Sequence, residues 1–286
     1  MGKTKKYEIN YDQYEDGANS LDVLKAILED PERLEITEVI IGYWGEPWDD
    51  DGCQKLIDGL IEHAQEFSHV EKLFIGDMGY EECEVSWIIQ GNYSGLWAAL
   101  PNLKELTIKG SSELTLGSVE HENLEALTII CGGLPGNVIS EIQKAKLPNL
   151  KKLLLYIGIE DYGFDGDADT IRTLLKEADF PGLEYLGIAD SEIQDELAQV
   201  VLESKFIGQI HTLDLSCGTL SDKGGELLLE KLLQYPNIKK VDLHYHYLSD
   251  EMMNKLEQLP VEFDLSEQEI PSTYRGEVQM YAMLTE

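Results

Sequence analysis

Eight short apolar segments recur along the chain, and this repetition constrains the fold more than any other feature. Each segment has the form L-x-x-L-x-L, with Ile or Val allowed at the apolar positions. Successive copies lie 21 to 34 residues apart, which is long enough for a strand and a helix in each repeat. They occupy residues 36–41, 70–75, 103–108, 124–129, 150–155, 183–188, 210–215 and 238–243. Because one repeat cannot bury its own apolar face, the pattern predicts a stack of strand–helix units.

Helical patterns separate most of the predicted strands. Apolar residues recur three or four apart in residues 55–67, 138–147, 170–180, 196–206, 225–235 and 251–259. Prolines at positions 101, 148, 181, 236 and 260 end these or neighbouring segments, since proline cannot continue a helix. The sequence therefore predicts an α/β fold, a right-handed solenoid with helices on its convex side and a parallel concave sheet of about eight strands.

The repeated segments resemble those of leucine-rich-repeat proteins over residues 36–265, and the helical repeats are most similar to the ribonuclease-inhibitor subclass. Residues 76–103, 161–167 and 243–251 also resemble a group of uncharacterised bacterial cytoplasmic leucine-rich-repeat proteins. The resemblance implies a horseshoe-shaped repeat domain and brings no known activity with it. We expect an N-terminal segment with a cap helix at 1–35, the repeat domain at 36–265 with a last strand at 261–265, and a C-terminal tail at 266–286.

One position departs from the usual pattern of these repeats, which place an asparagine in the turn after the strand. The residues in that position are Trp44, Met78, Ser111, Gly132, Gly158, Ser191, Gly218 and His246. The glycines can form the turn through backbone freedom alone. We expect His246 to be buried there as a hydrogen-bonding residue.

Charge and cysteine content narrow the function. The chain has 22 Lys and Arg against 55 Asp and Glu, a formal net charge of −33, which disfavours nucleic acid and anionic membranes and favours basic protein partners. Cys53, Cys83, Cys131 and Cys217 are scattered, which indicates reduced thiols. No signal peptide or membrane span is recognisable, so we expect a cytoplasmic bacterial protein. The motifs of common enzymes and cofactor sites are missing from the sequence, which favours a non-catalytic protein without a cofactor.

The predicted concave face carries the candidate binding residues. Strand side chains alternate, so the fifth and seventh residues of each motif point away from the core. This face is apolar and aromatic early in the chain and acidic late. The residues that we expect to contact a protein partner there are Ile40, Phe74, Leu154, Tyr156, Asp214, Asp242 and His244. Alternatively, acidic loops or the N-terminal cap fold over Ile40 and Phe74.

Two further features have both functional and structural interpretations. Asp214, Asp242 and His244 could hold a metal or run acid–base chemistry, or form a solvated polar face. The acidic loop within residues 156–170 carries Asp161, Tyr162, Phe164, Asp165 and Asp167, which we interpret as a protruding binding loop. It fails as a calcium loop, because Thr170 and Lys176 replace the required Gly and Glu.

Aromatic residues outside the motifs remain to be placed. We interpret Trp87 and Trp97, which would lie nearly on one helical face, as core residues between the cap and the array. The tail is either a flexible arm or packs Tyr274, Met280 and Tyr281 on the last repeat. The sequence thus favours a protein-interaction scaffold that uses the concave face and the acidic loops. The alternatives are an acidic inhibitor or antitoxin of a basic enzyme such as a nuclease, and a metal-dependent enzyme.

Overall fold

The computed structural model describes residues 2–49 and 52–284. Within them, ten strands form one sheet in which each strand pairs in parallel with the next strand of the chain. They are β1 Lys3–Tyr7, β2 Ile36–Ile41, β3 Lys72–Ile75, β4 Glu105–Lys109, β5 Ala126–Ile130, β6 Lys152–Gly158, β7 Tyr185–Ser191, β8 Thr212–Asp214, β9 Lys240–Asp242 and β10 Glu262–Asp264. A separate antiparallel hairpin follows, formed by β11 Ser272–Tyr274 and β12 Glu277–Gln279.

Helices connect most of the strands. They are α1 Tyr11–Glu15, α2 Ser20–Leu28, α3 Gln54–Glu62, α4 Ala64–Phe67, α5 Leu96–Ala99, α6 Gly136–Gln143, α7 Ala168–Glu177, α8 Gln194–Leu202, α9 Asp222–Lys231 and α10 Asp250–Leu256. Each of the six sequence patterns contains a helix, although the patterns run past the observed C-termini. In the described part of the chain, no helix has the length and apolar character needed to cross a membrane.

The register of the sheet follows the repeated motif. The fourth motif residues lie side by side from Val39 through Leu73 and onward to Val241, and Phe263 of β10 continues the row. These residues are buried up to Val241, and so are the sixth residues of the same strands. One continuous hydrophobic core therefore runs through the stack and joins the strands to the helices. This confirms an α/β, solenoid-like arrangement with a parallel sheet, in which all eight predicted strands are present and 261–265 contains β10.

The first strand was not predicted. β1 pairs in parallel with β2 and adds an edge strand before the first motif. Of its five residues only Tyr7 is buried, and the Tyr7 hydroxyl donates to Asp30 Oδ2 at 2.8 Å. Lys5 Nζ pairs with the same oxygen at 2.5 Å. Helices α1 and α2 lie within the segment where a cap helix is expected, and α2 packs against α3.

The turns that follow the late strands share one backbone conformation. Asp190, Cys217, Tyr245 and Glu267 each lie four residues after Leu186, Leu213, Val241 or Phe263 of the buried row, and each has a positive φ between 55° and 63°. In the position after Tyr245, His246 is fully buried. Its Nδ1 accepts from Leu248 N at 3.1 Å and its Nε2 lies 3.1 Å from Leu265 O, which confirms its expected role.

The described C-terminal segment returns over the array. Residues 280–284, here called the strap, pass along the turns at the carboxyl edge of the sheet. Tyr281 N donates to the Tyr247 hydroxyl at 3.0 Å, and Met283 N donates to Cys217 O at 2.8 Å. Leu284 N donates to Asp190 Oδ1 at 2.8 Å. Residues 280–284 of the tail are therefore not a free arm, whereas Tyr274 in the hairpin is exposed. Residues 285 and 286 lie outside the described residues.

Candidate functional site

The side chains expected on the concave face do lie on one face of the sheet, which we call the open face. Ile40 pairs with Phe74 in register, and Lys6 of β1 lies on the other side of Ile40. Both apolar side chains are half-buried. β1 thus extends the sheet beside Ile40, with Lys6 forming ion pairs to Glu8 and Asp77.

Two of the residues expected to contact a partner are buried instead. Leu154 lies over the position of Gly187, where an added Cβ would overlap its Cδ1 atom. Asp214 is buried, and its carboxylate accepts from the Tyr185 hydroxyl and from Ser216, whose Oγ is 2.6 Å from Oδ1. The prediction that these two side chains present a binding surface is therefore wrong. They stabilise the open face from within.

Three aspartates in register form the late part of the open face. Asp214 pairs with Asp242, and Asp242 with Asp264, which was not among the predicted site residues. In each case Oδ1 accepts from the residue two positions later, which is Ser216, His244 or Ser266. The sequence did contain a signal for this row, since the tripeptides D-L-S, D-L-H and D-L-S begin at positions 214, 242 and 264.

The histidine of this row joins it to a cysteine that the sequence had indicated only as a reduced thiol. His244 Nδ1 lies 2.8 Å from Asp242 Oδ1, and His244 Nε2 lies 3.1 Å from Cys217 Sγ. Burial lowers the pKa of His244, but the hydrogen bond and charge of Asp242 outweigh it, so the net pKa is raised. Burial raises the pKa of the Cys217 thiol to about 12, because its residue is only 2% exposed.

The same cluster gives little support to the metal alternative. Among residues 2–49 and 52–284, no group of three or more His, Cys, Asp and Glu side chains is arranged to hold a metal ion. Asp214 turns toward Tyr185 and Ser216, and Asp242 turns toward His244. Each carboxylate is thus directed to a protein donor, while Tyr156 lies against Cys217 and is half-buried.

The acidic loop packs on the preceding repeat more closely than expected. Phe164 is 4% exposed and belongs to the core, so its assignment to a partner-binding surface is wrong. Asp165 Oδ1 accepts from Gly136 N at 2.6 Å, and Asp167 is the N-cap of α7, with its Oδ1 2.8 Å from Thr170 N. The half-buried Tyr162 packs on Gly133, whereas Asp161 is exposed. Capping and loop closure account for the two carboxylates at 165 and 167.

An exposed aromatic surface lies where the sequence had suggested core residues. Trp48, Tyr80 and Trp87 are 44%, 65% and 61% exposed and line a cleft of about 480 Å³ together with Cys83 and Glu84. We call this the aromatic cleft. Trp97, in contrast, is buried, and its Nε1 donates to Leu116 O at 2.8 Å. The core assignment is thus confirmed for Trp97 and wrong for Trp87, which lies in a separate 3₁₀ turn at Val85–Trp87.

Comparison with known proteins identifies solved structures that are similar to this chain. A protein from Bacteroides fragilis, whose crystal structure was determined by the Northeast Structural Genomics Consortium, is 40% identical to it, with a TM-score of 0.90 over 99% of this chain and 77% of that chain. An internalin from Listeria monocytogenes is 13% identical with a TM-score of 0.28, over 82% of this chain and 76% of that chain, and this likeness is too low to support a conclusion. No model of a protein family matches the sequence, and no curated protein does. The chain belongs to the same family as the Bacteroides fragilis protein.

Proposed function

We propose that this protein is a binding module that receives a basic segment of a partner protein in the aromatic cleft. The observation that carries this proposal is the exposure of Trp48, Tyr80 and Trp87 around one concavity. Large aromatic side chains that remain exposed together provide contact area at low conformational cost and are enriched where binding energy concentrates. Isolated exposed apolar side chains would need no such explanation.

Charge identifies the chemistry of the partner. Glu81, Glu82 and Glu84 lie in the same loop as Tyr80 and Trp87, and Glu84 lines the cleft itself. Aromatic faces combined with carboxylates recognise guanidinium and ammonium groups through cation–π contacts and ion pairs. The net charge of −33 would also accelerate the approach of a basic partner. An arginine-rich or lysine-rich segment therefore fits this surface better than an acidic one.

The open face is a second contact surface in this proposal, but a weaker one. Its charges are partly balanced, since Lys72 pairs with Glu105 at 2.8 Å and Lys240 lies 4.0 Å from Glu262. Ile40 and Phe74 remain the apolar residues that a partner could cover there. We also infer that the array is a right-handed leucine-rich-repeat horseshoe with the open face on its concave side, which the chain order of the parallel strands supports.

The proposal is tested by titrating an arginine-rich peptide into the purified protein and into a Trp87→Ala variant. We expect the variant to bind at least about tenfold more weakly, which corresponds to a loss of about 1.4 kcal/mol. Tyr274→Ala is the matched control, because Tyr274 is also an exposed aromatic residue but lies in the β11–β12 hairpin. A glutamate-rich peptide of equal length controls for charge.

Two results would count against the aromatic cleft as the binding site. One is equal affinity of the arginine-rich peptide for the wild-type protein and for Trp87→Ala. The other is binding that does not weaken as salt rises, since contacts between carboxylates and a basic peptide are screened. If Phe74→Asp abolishes binding while Trp87→Ala does not, the open face is the binding surface instead.

A further inference from the structure

We propose that Cys217, His244 and Asp242 form a latent thiol nucleophile for acyl transfer from polypeptide substrates, which the strap covers in this structure. This inference departs from the sequence-based expectation of a non-catalytic protein, and it is independent of the proposed binding at the aromatic cleft. Cys217 lies in the turn after β8, Asp242 is the last residue of β9, and His244 lies in the turn that follows it.

The geometry is that of a nucleophile, a base and a positioning group in series. Cys217 Sγ lies 3.1 Å from His244 Nε2, and His244 Nδ1 lies 2.8 Å from Asp242 Oδ1. A histidine held in this way by a carboxylate can accept the proton of the thiol through its free nitrogen. Burial raises the pKa of the Cys217 thiol in this covered state, and a hydrogen bond with the Tyr156 hydroxyl lowers it in part.

The neighbouring repeats show why this arrangement exceeds a structural turn. Asp214 and Asp264 make the same contacts two residues ahead, but to Ser216 and Ser266. In these two repeats each serine hydroxyl donates to the aspartate of its own strand, and Asp214 also accepts from the Tyr185 hydroxyl. At the middle position, His244 satisfies Asp242 and in addition reaches across to Cys217, which a turn alone does not require.

A second observation at the same place concerns Asp190, in the turn after β7. Asp190 is fully buried, and after burial itself its negative charge contributes to the raised pKa of Cys217. Oδ1 accepts from the strap at Leu284 N, but among the residues that the structure describes Oδ2 has no hydrogen-bond partner. A buried acceptor without a donor is costly, and a second N–H group from a bound peptide would satisfy it.

The strap indicates the class of substrate. It is a peptide without regular secondary structure that is held through its backbone, with Met283 N bonded to Cys217 O and Leu284 N bonded to Asp190. Ala282 is buried, while the side chains on either side of it, Tyr281 and Met283, are exposed. A track that binds main-chain N–H groups beside a nucleophile fits a polypeptide carrying a small residue at the position of Ala282.

The reaction would run in two balanced steps. The Cys217 proton passes to His244 Nε2 while the sulfur attacks a carbonyl carbon, forming a C–S bond. The bond from that carbon to the leaving amine or alcohol breaks, and the leaving group takes the proton from Nε2. Water, deprotonated by His244, then adds to the thioester carbonyl, the C–S bond breaks and the sulfur regains its proton. The products are a carboxylic acid and the free thiol.

The test uses the full chain and a short peptide p-nitrophenyl ester as the acyl donor. Ala282→Glu places a charge in the buried strap position and is expected to expose Cys217, whereas Met283→Glu adds the same charge at a side chain that is 44% exposed. The rate of p-nitrophenolate release should be at least about tenfold higher in Ala282→Glu than in the wild-type protein, and unchanged in Met283→Glu. The peptidyl adduct on Cys217, located by mass spectrometry, should increase in the same variant only. Adding His244→Gln should lower that rate by about a hundredfold. Adding Asp242→Asn should shift its pH profile, as expected for a positioning residue.

Iodoacetamide labelling of Cys217 separates access from reactivity. If Ala282→Glu unfolds the protein, Leu284→Pro offers a second opening, because it removes the N–H that bonds to Asp190. A Cys217 that iodoacetamide reaches but whose acylation is unchanged by His244→Gln overturns the proposal. So does a strap that neither substitution can open without global unfolding, since the thiol would then be structural.

Discussion

Asp190 is a carboxyl group in a turn, and burial opposes its ionisation. Burial raises its pKa from 3.8 to about 7, although N–H groups of Leu284 and Met283 oppose the shift. Because the folded state holds its proton to higher pH than the unfolded chain does, stability falls as pH rises between these two values. The strap is thus held by a group that titrates close to neutral pH.

Replacing Asp190 by asparagine should remove this pH dependence. Asn keeps an oxygen for Leu284 N and carries no charge, so the variant should be similar to wild type near pH 4 and more stable at pH 8. We expect the difference in unfolding free energy to change by about 2–4 kcal/mol across that range. Denaturant unfolding at both pH values measures it. A constant difference would show that Asp190 titrates as in the unfolded chain.

Gly158 lies in a turn whose geometry leaves no room for a side chain. Its φ is 71°, and an added Cβ would overlap the carbonyl oxygen of Gly132 in the adjacent turn. Gly158→Ala should therefore lower the unfolding free energy by about 2 kcal/mol or more, since both strain and overlap act. Gly208→Ala is the control, because nothing lies within 4 Å of its added Cβ. Equal melting temperatures of the two variants would contradict this reasoning.

Individual residues of the site were only partly predictable from the sequence. The motif period placed Asp214, Asp242 and His244 on adjacent strands, because register follows the repeat. It could not show that Cys217 meets His244, since the thiol lies in a turn whose direction depends on the backbone conformation at φ 63°. Trp87 was misassigned because the helical spacing to Trp97 assumed one continuous helix, whereas a 3₁₀ turn separates them.

At the scale of elements, prediction succeeded for the strands that carry the apolar motif and failed for β1, the edge strand before the first motif. In the motif strands the fourth and sixth motif residues are apolar and buried, and this spacing makes the strands recognisable. β1 has the sequence KTKKY and buries one residue, so nothing in its pattern distinguishes it from a charged loop. Its place is set by pairing with β2 and by the contacts of Tyr7 and Lys5 to Asp30, which are long-range contacts.

The start of α7 provides a test of how the acidic loop is used. Asp167 accepts from Thr170 N, and Asp167 N in turn donates to Thr170 Oγ1 at 3.2 Å. The two hydrogen bonds close the first turn of the helix. Asp167→Ala should lower stability by about 1 kcal/mol, the usual effect of losing an N-cap. Asp161→Ala removes an exposed carboxylate of the same loop and should change stability by less than about 0.5 kcal/mol. Similar losses in both variants would argue against a specific cap.

At the scale of the whole molecule, parallel stacking converts sequence repetition into rows of like chemistry. The row from Ile40 to Asp264 changes from apolar to acidic within one face. The turns after β7, β8 and β9 bring Asp190, Cys217 and Tyr247 under one strap. Insertions between strands leave these rows intact, because the inserted residues follow the carboxyl ends of the strands. The aromatic cleft is built from two such insertions, after β2 and after β3.

The net charge of −33 should give stability and binding opposite responses to salt. Like charges repel one another in the compact state, and this exceeds what exposed ion pairs contribute, so screening should stabilise the fold. We expect the melting temperature to rise by several degrees between about 20 mM and about 500 mM NaCl, a range over which the Debye length falls from about 20 Å to about 4 Å. Affinity for the arginine-rich peptide should fall over the same range, because the attraction is screened as well. Repeating both series with KCl separates screening from effects of one cation. A melting temperature that falls with salt would mean that ion pairs such as Lys72–Glu105 and Lys151–Glu125 outweigh the repulsion.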